Sequence, residues 1–144
     1  MSFLPTNPDF ETRVRESFAA QNLMATLRAE ITHIAPGEVT IEMPFSDEFT
    51  QQNGFVHAGI TTAIADSACG YAAFTLMPAT ASVLSVEFKV NLLSPALGER
   101  FIARAQVLKP GRTLTVCRGD VFAVKDGTEK LIMTMLATMI AKSL

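Results

Sequence analysis

The chain has 144 residues, a length that fits one domain around a single core. Hydrophobic residues make up 49% of it and charged residues 18%, so some apolar surface is expected to be buried between subunits. A net charge of −2 excludes nucleic-acid binding by bulk electrostatics, and any anionic ligand has to be met by a local basic patch.

The start, Met1 to Asp9, has neither a basic region nor an apolar run and does not read as a signal peptide. From Asp9 to Leu27 the pattern predicts an amphipathic helix. Val14, Phe18 and the set Leu23, Met24 and Leu27 recur at helical spacing, while Arg13, Arg15 and Glu16 face elsewhere. Pro36-Gly37 marks a turn. After it, Val39, Ile41 and Met43 alternate with Glu38, Thr40 and Glu42, the signature of a half-buried strand whose hairpin partner is residues 28–35. A polar loop follows, ending at Asn53-Gly54.

Residues 58–77 are almost entirely apolar or small, but Asp66 lies mid-span and a carboxylate there is expensive in lipid. The segment therefore reads as a helix buried in protein, stopped by Pro78. Beyond it, Leu84, Val86, Phe88, Val90 and Leu92 alternate with Ser85, Glu87, Lys89 and Asn91, which predicts a strand with the first set on one face and the second on the other. Three more strand-like runs, 100–108, 113–124 and 130–141, are separated by Lys109-Pro110-Gly111 and Asp126-Gly127. Short hairpin connections imply an antiparallel sheet, and an all-round apolar helix has to be covered by it: an α+β two-layer arrangement whose sheet edges self-association could cover. Cys69 and Cys117 have no metal-ligand spacing and form no disulfide framework, as expected of free thiols in a reducing cytoplasmic setting.

Four sets of residues could carry chemistry. Asp66 is the only Asp, Glu, Lys or Arg between Phe49 and Val86. A lone carboxylate among apolar residues is costly, which marks a functional site, unless it bonds neighbouring backbone or points to solvent. His57-Ala58-Gly59 lies where loop becomes helix. There the free N–H groups of the first turn suit a developing oxyanion; the alternative is an ordinary helix start with His57 as its cap. Gln51 with Asn53 and Gly54 could orient a carbonyl or a water, or form only a polar turn. Lys109, Gly111, Arg112 and Thr113 could grip the phosphates of a nucleotide-bearing ligand, or make a solvated hairpin tip. His33 has no assigned role. Met133, Met135 and Met139 read as core that could also line an adaptable acyl pocket. Asp66 lies eight residues beyond Ala58, about 12 Å along a helix axis. One thioester cannot easily touch both from the same helix. Either they serve different sites, or a second copy brings its Asp66 beside the first copy's Ala58 in a two-fold dimer.

The run Gln51-Gln52-Asn53-Gly54-Phe55-Val56-His57-Ala58-Gly59, followed by Asp66, resembles the hotdog-fold thioesterases of the PaaI-like group. Residues 84–88, 91–95 and 109–114 agree, and the match runs over about residues 15 to 141. The resemblance implies an α+β hotdog fold, an antiparallel sheet wrapped around one long central helix. It implies one such domain over residues 1–144, with 1–27 as an N-terminal extension and helix. It implies dimers, often tetramers, that hydrolyse acyl-CoA thioesters without metal or redox cofactor, with neither nucleic acid nor membrane as partner. Residue by residue, Ala58 N–H would polarise the thioester carbonyl. Asp66 of the other subunit would act as general base or nucleophile. His57 would support the loop, Gln51 position water, Ser85 help hold it, and Lys109 to Thr113 contact CoA, with Asn53, Gly54 and Gly59 also substrate-binding. Two positions depart from the family pattern. Ala58 stands where the motif usually has Gly, and Gln51 where many relatives have Asn. Two other readings share the fold: an acyl-CoA-binding protein without turnover, and an enoyl-thioester hydratase.

Overall fold

The structure is a computed structural model that describes residues 2–144. Two short helices, α1 (Phe10–Ala20) and α2 (Asn22–Thr26), precede the hairpin β1 (Glu30–Ala35) and β2 (Glu38–Pro44). The long helix α3 (Ala58–Phe74) comes next, then β3 (Ser82–Leu92), β4 (Arg100–Lys109), β5 (Leu114–Lys125) and β6 (Thr128–Lys142). The strands form one six-stranded sheet in the order β1-β2-β4-β5-β6-β3, with every neighbouring pair antiparallel. The expected α+β arrangement is present: one sheet and one long helix packed on it. No helix among the described residues is long and apolar enough to cross a membrane.

The core lies between α3 and the sheet. Ile64, Ala65, Ala68, Cys69, Ala72 and Ala73 of α3 are buried against Val39 and Ile41 of β2, Ala103 of β4, and Met135, Ala137 and Met139 of β6. Small helix residues let the sheet come close. At Gly119 of β5 an added Cβ would stand 2.8 Å from Cys69 Sγ, so that strand position has no room for a side chain. The Met residues foreseen as core are core, since Met133, Met135 and Met139 are all buried.

Three local expectations are corrected. The N-terminal helix is not continuous to Leu27. It breaks at Gln21, whose backbone is extended at φ −84° and ψ 103°. Gln21 Oε1 accepts from Ser67 Oγ at 3.1 Å and its Nε2 donates to Tyr71 Oη at 3.0 Å, so tertiary hydrogen bonds to α3 offset the lost helical turn. The central helix ends at Phe74, ahead of Pro78. Thr75 sits buried at its C-cap, donating to Ala72 O at 2.6 Å and accepting from Gly37 N at 2.7 Å.

The third correction concerns β3. The register against β6 shifts between Ser85 and Glu87, so Val86 is the extra residue of a bulge. Ser85 pairs with buried Met139, and Phe88 with buried Ala137, which puts both on the helix-facing side, whereas Leu84 pairs with Ile140. A strict two-residue alternation assigned Ser85 to the opposite face from Phe88.

Candidate active site

The loop before α3 is fixed by its own backbone. Gln51 N–H donates to Phe55 O at 2.8 Å, Gly54 N–H to Gln51 O at 3.0 Å, and His57 N–H to Phe49 O at 2.8 Å. Val56 N–H reaches across to Ala96 O at 3.0 Å, tying the loop to the segment after β3. Gly54 supplies the left-handed turn, with φ +83°. The Gln51 side-chain oxygen accepts from Asn53 N–H, which leaves its amide NH₂ as the group able to meet a ligand.

His57 is the N-cap of α3, and its Nδ1 accepts from Gly59 N–H at 2.8 Å. A ring nitrogen that accepts is unprotonated, so the neutral imidazole carries its proton on Nε2, on the edge away from the helix. Ile60 N–H donates to His57 O at 2.9 Å. With Gly59 and Ile60 engaged, Ala58 N–H is a first-turn donor that a ligand could use, backed by the positive end of the helix dipole. Ala58 lines a cavity of about 640 Å³ together with Gln51, His57, Leu92, Pro95 and Met133, among others. The cavity matches an oxyanion site: a fixed N–H at the wall of a largely apolar space.

Asp66 sits two turns further along α3 and is half-buried. Ser85 Oγ donates to its Oδ1 at 2.6 Å, with Met139 Sδ 3.4 Å from the same hydroxyl. That bond fixes the carboxylate plane and leaves Oδ2 to take a proton or attack a carbon. The hydrogen-bond partner of Asp66 is thus a side chain on β3 and not helix backbone. The β3 bulge is what brings Ser85 to this face.

The cavity at Ala58 is not lined by Asp66. The basic turn is further away still. Pro110, Gly111 and Arg112 line a small recess with Leu76, Met77 and Pro78, beyond the C-terminal end of α3. Lys109 and Arg112 are exposed there. Within one chain the sequence-derived residues thus fall into three groups strung along the helix. Gln51, Asn53, Gly54, His57, Ala58 and Gly59 lie at its start, Asp66 with Ser85 at its middle, and Lys109, Gly111, Arg112 and Thr113 past its end.

A family model for the thioesterase superfamily matches residues 53–130. The chain belongs to that superfamily. Human acyl-coenzyme A thioesterase 13 is 35% identical over 99 residues, 68% of this chain and 69% of that protein. A crystal structure of a thioesterase family protein from Silicibacter pomeroyi is 55% identical, covering 94% of this chain and 99% of that one, with a TM-score of 0.92. The Escherichia coli PaaI structure shares the fold at 16% identity, covering 93% of this chain and 94% of that one, with a TM-score of 0.83. The chain is therefore a thioester hydrolase with the hotdog architecture.

In this thioesterase several residues matter that pattern reading alone did not single out. Leu92, Leu93 and Pro95 line the cavity beside Ala58, and Thr61 Oγ1 lies on its wall, bonded to Ala58 O at 3.1 Å. The signal for Leu92, Leu93 and Pro95 was the resemblance over residues 91–95, and none marked Thr61. Gln21 ties the N-terminal helices to the helix that carries Asp66, and nothing in its sequence context marks it. His33, left without a role, pairs with Glu38 at 3.4 Å on the exposed surface. Burial, with smaller contributions from Cys117, Asp66 and Asp120, pushes the Cys69 thiol well above its usual range. Burial likewise pushes Cys117 up to about 12. Neither thiol is a nucleophile near neutral pH.

Proposed function

We propose that this thioesterase hydrolyses acyl-CoA in composite sites of a homodimer, each built from Ala58 of one copy and Asp66 of the other. The observation that carries the reading is the separation within one chain: the oxyanion donor and its cavity lie about 12 Å along the helix from the carboxylate. Asp66 Oδ2 takes a proton from water as the water oxygen attacks the thioester carbon. Ala58 N–H holds the oxygen that becomes negative, and Nε2–H of His57 and the Gln51 amide stand beside it. Collapse expels the CoA thiolate, which takes the proton back from Asp66. Direct attack by Asp66 through an anhydride uses the same geometry.

Support for the dimer comes from the sheet edge. β3 is an outer strand with one side of its backbone unpaired, and Leu84, Val86, Phe88 and Leu92 on it are 43–61% exposed. A long edge of this kind invites pairing with its own copy. Two-fold pairing there runs the two α3 helices antiparallel. The start of one then faces the middle of the other, with the partner's basic turn near the mouth, where CoA phosphates would meet Lys109 and Arg112. On this reading residues 1–144 act as one hotdog domain, with residues 1–27 as its N-terminal extension.

Complementation between two inactive variants tests it. Asp66→Asn removes the base. Ala58→Pro removes the N–H, at a first helical position that accepts proline and after a His57 already extended at φ −59° and ψ 137°. Each variant alone should release little thiol from acyl-CoA. Refolded together, mixed dimers carry one intact site of two, so about a quarter of wild-type activity should return. No recovery, with mixed dimers demonstrated, places both groups in one chain's site and sinks the composite reading.

A further inference from the structure

β3 carries one charge of each sign on its outer side, and their placement selects one pairing of this edge with a second copy. Phe88 lies opposite buried Ala137 of β6 and so faces α3, while its neighbours Glu87 and Lys89, opposite Thr138 and Leu136, stand on the other face of the sheet. Among the described residues neither Glu87 nor Lys89 has an ion-pair partner. Lys89 Nζ reaches Asn91 Oδ1 of its own strand, at 3.3 Å. On the interior strands, by contrast, Arg100, Arg104 and Arg118 are each matched to a carboxylate: Glu42 at 2.9 Å, Glu129 at 2.7 Å and Asp120 at 3.3 Å. The two unmatched charges sit on the strand that has no neighbour on one side.

The backbone fixes which residues meet a partner. Leu93 N–H donates to Ile132 O of β6 at 2.8 Å. Backbone groups alternate in direction along an antiparallel strand, so Asn91, Lys89 and Glu87 also turn theirs to β6, whereas Phe88 and Val90 turn theirs to the free edge. A two-fold axis at Phe88 then closes a pair of hydrogen bonds between Phe88 and the partner's Phe88. Glu87 falls opposite the partner's Lys89, and Lys89 opposite the partner's Glu87. Both are non-hydrogen-bonded positions, where Cα atoms approach to about 4.5 Å and side chains lie closest. The neighbouring registers fail. A slip of two residues sets Glu87 against the partner's Glu87 or Lys89 against the partner's Lys89. A slip of one turns the helix side of one strand toward the outer side of the other.

We infer that β3 pairs with β3 of a second copy about a two-fold axis at Phe88, with Glu87 and Lys89 as the positioning residues that set the register. The inference rests on the composite-site reading and deepens it. In this register the partner's Ser85 comes beside Val90 and Asn91, and the next residue, Leu92, lines the cavity at Ala58. Ser85 holds Asp66, so the partner's Asp66 is delivered to that cavity. A slip of two residues would displace it by about 7 Å along the strand, beyond the reach of a proton transfer.

Charge reversal tests the register. Glu87→Lys and Lys89→Glu each set like charges opposite one another twice across the axis. Sedimentation at low salt should then read a dimer dissociation constant raised about tenfold to a hundredfold, with thiol release from hexanoyl-CoA lost as the dimer is diluted away. The double variant Glu87→Lys/Lys89→Glu keeps the net charge and restores both pairs, so association and activity should return to within about threefold of the wild type. An equimolar mixture of the two single variants should recover likewise, since one carries only cations at these positions and the other only anions. Both positions are exposed, and circular dichroism checks that each variant is folded. Wild-type association in both single variants, or a double variant no better than the single ones, overturns the register while leaving the dimer in place. A wild type that sediments as a fully active monomer sinks the composite-site reading itself, and the register with it.

Discussion

In the proposed mechanism Ala58 and Asp66 divide the chemistry between a backbone atom and a side chain, and substitutions should separate them. Asp66→Asn keeps the Ser85 hydrogen bond in its acceptor but removes the base, so kcat should fall by about a hundredfold to ten-thousandfold with little change in unfolding midpoint. Wild-type turnover in that variant would falsify the role given to Asp66. Ala58→Pro should lower kcat by about a hundredfold or more for loss of one oxyanion donor, with stability kept. The methyl of Ala58, where the family motif usually has glycine, leaves the N–H in place. The two buried thiols, Cys69 and Cys117, should stay unreacted with a disulfide reagent at pH 8 in the native enzyme and both titrate in denaturant. A rapidly reacting native thiol would contradict their burial.

At the scale of elements, the joint between α1 and α2 is held by one side chain. Gln21 bonds both Ser67 and Tyr71, and Tyr71 Oη lies 3.3 Å from Ser17 Oγ and packs edge-on to Phe18, their ring centroids 6.0 Å apart. Gln21→Ala should destabilise the protein by about 1 to 2 kcal/mol in urea unfolding, because Ser67 loses its partner and Tyr71 one of two in a half-buried setting. A break that persists at residue 21 in that variant, with no loss of stability, would show that it belongs to the local sequence. Most strand and helix spans were legible from their periods, because burial on one face imposes them: the central helix began and the last four strands fell where apolar spacing placed them. The Val86 bulge was not legible. It exchanges the faces of Ser85 and Leu84, and only pairing with β6 decides which residue is left over.

For the whole molecule, the exposed β3 edge and the proposed shared site are one question. Val86→Lys places a charge on the edge strand, where it should oppose pairing between copies. The variant is expected to sediment as a monomer at concentrations where the wild type does not, and to lose activity in proportion. A fully active monomer would refute the shared site.

Asp66 stood out in the sequence because a single carboxylate in an apolar run has no inexpensive explanation. The His57-Ala58-Gly59 helix start stood out only through the family pattern, since a capped helix with small residues is common. What the sequence determined by itself was the set of elements, the buried helix and the isolation of Asp66, all consequences of which side chains avoid water. The tertiary structure alone decided that Ser85 reaches Asp66, that Gln21 leaves the N-terminal helix to bond Ser67 and Tyr71, and that Val56 ties the loop before α3 to Ala96. Each of those depends on strand register or on the packing of segments far apart in the chain, which no local pattern encodes.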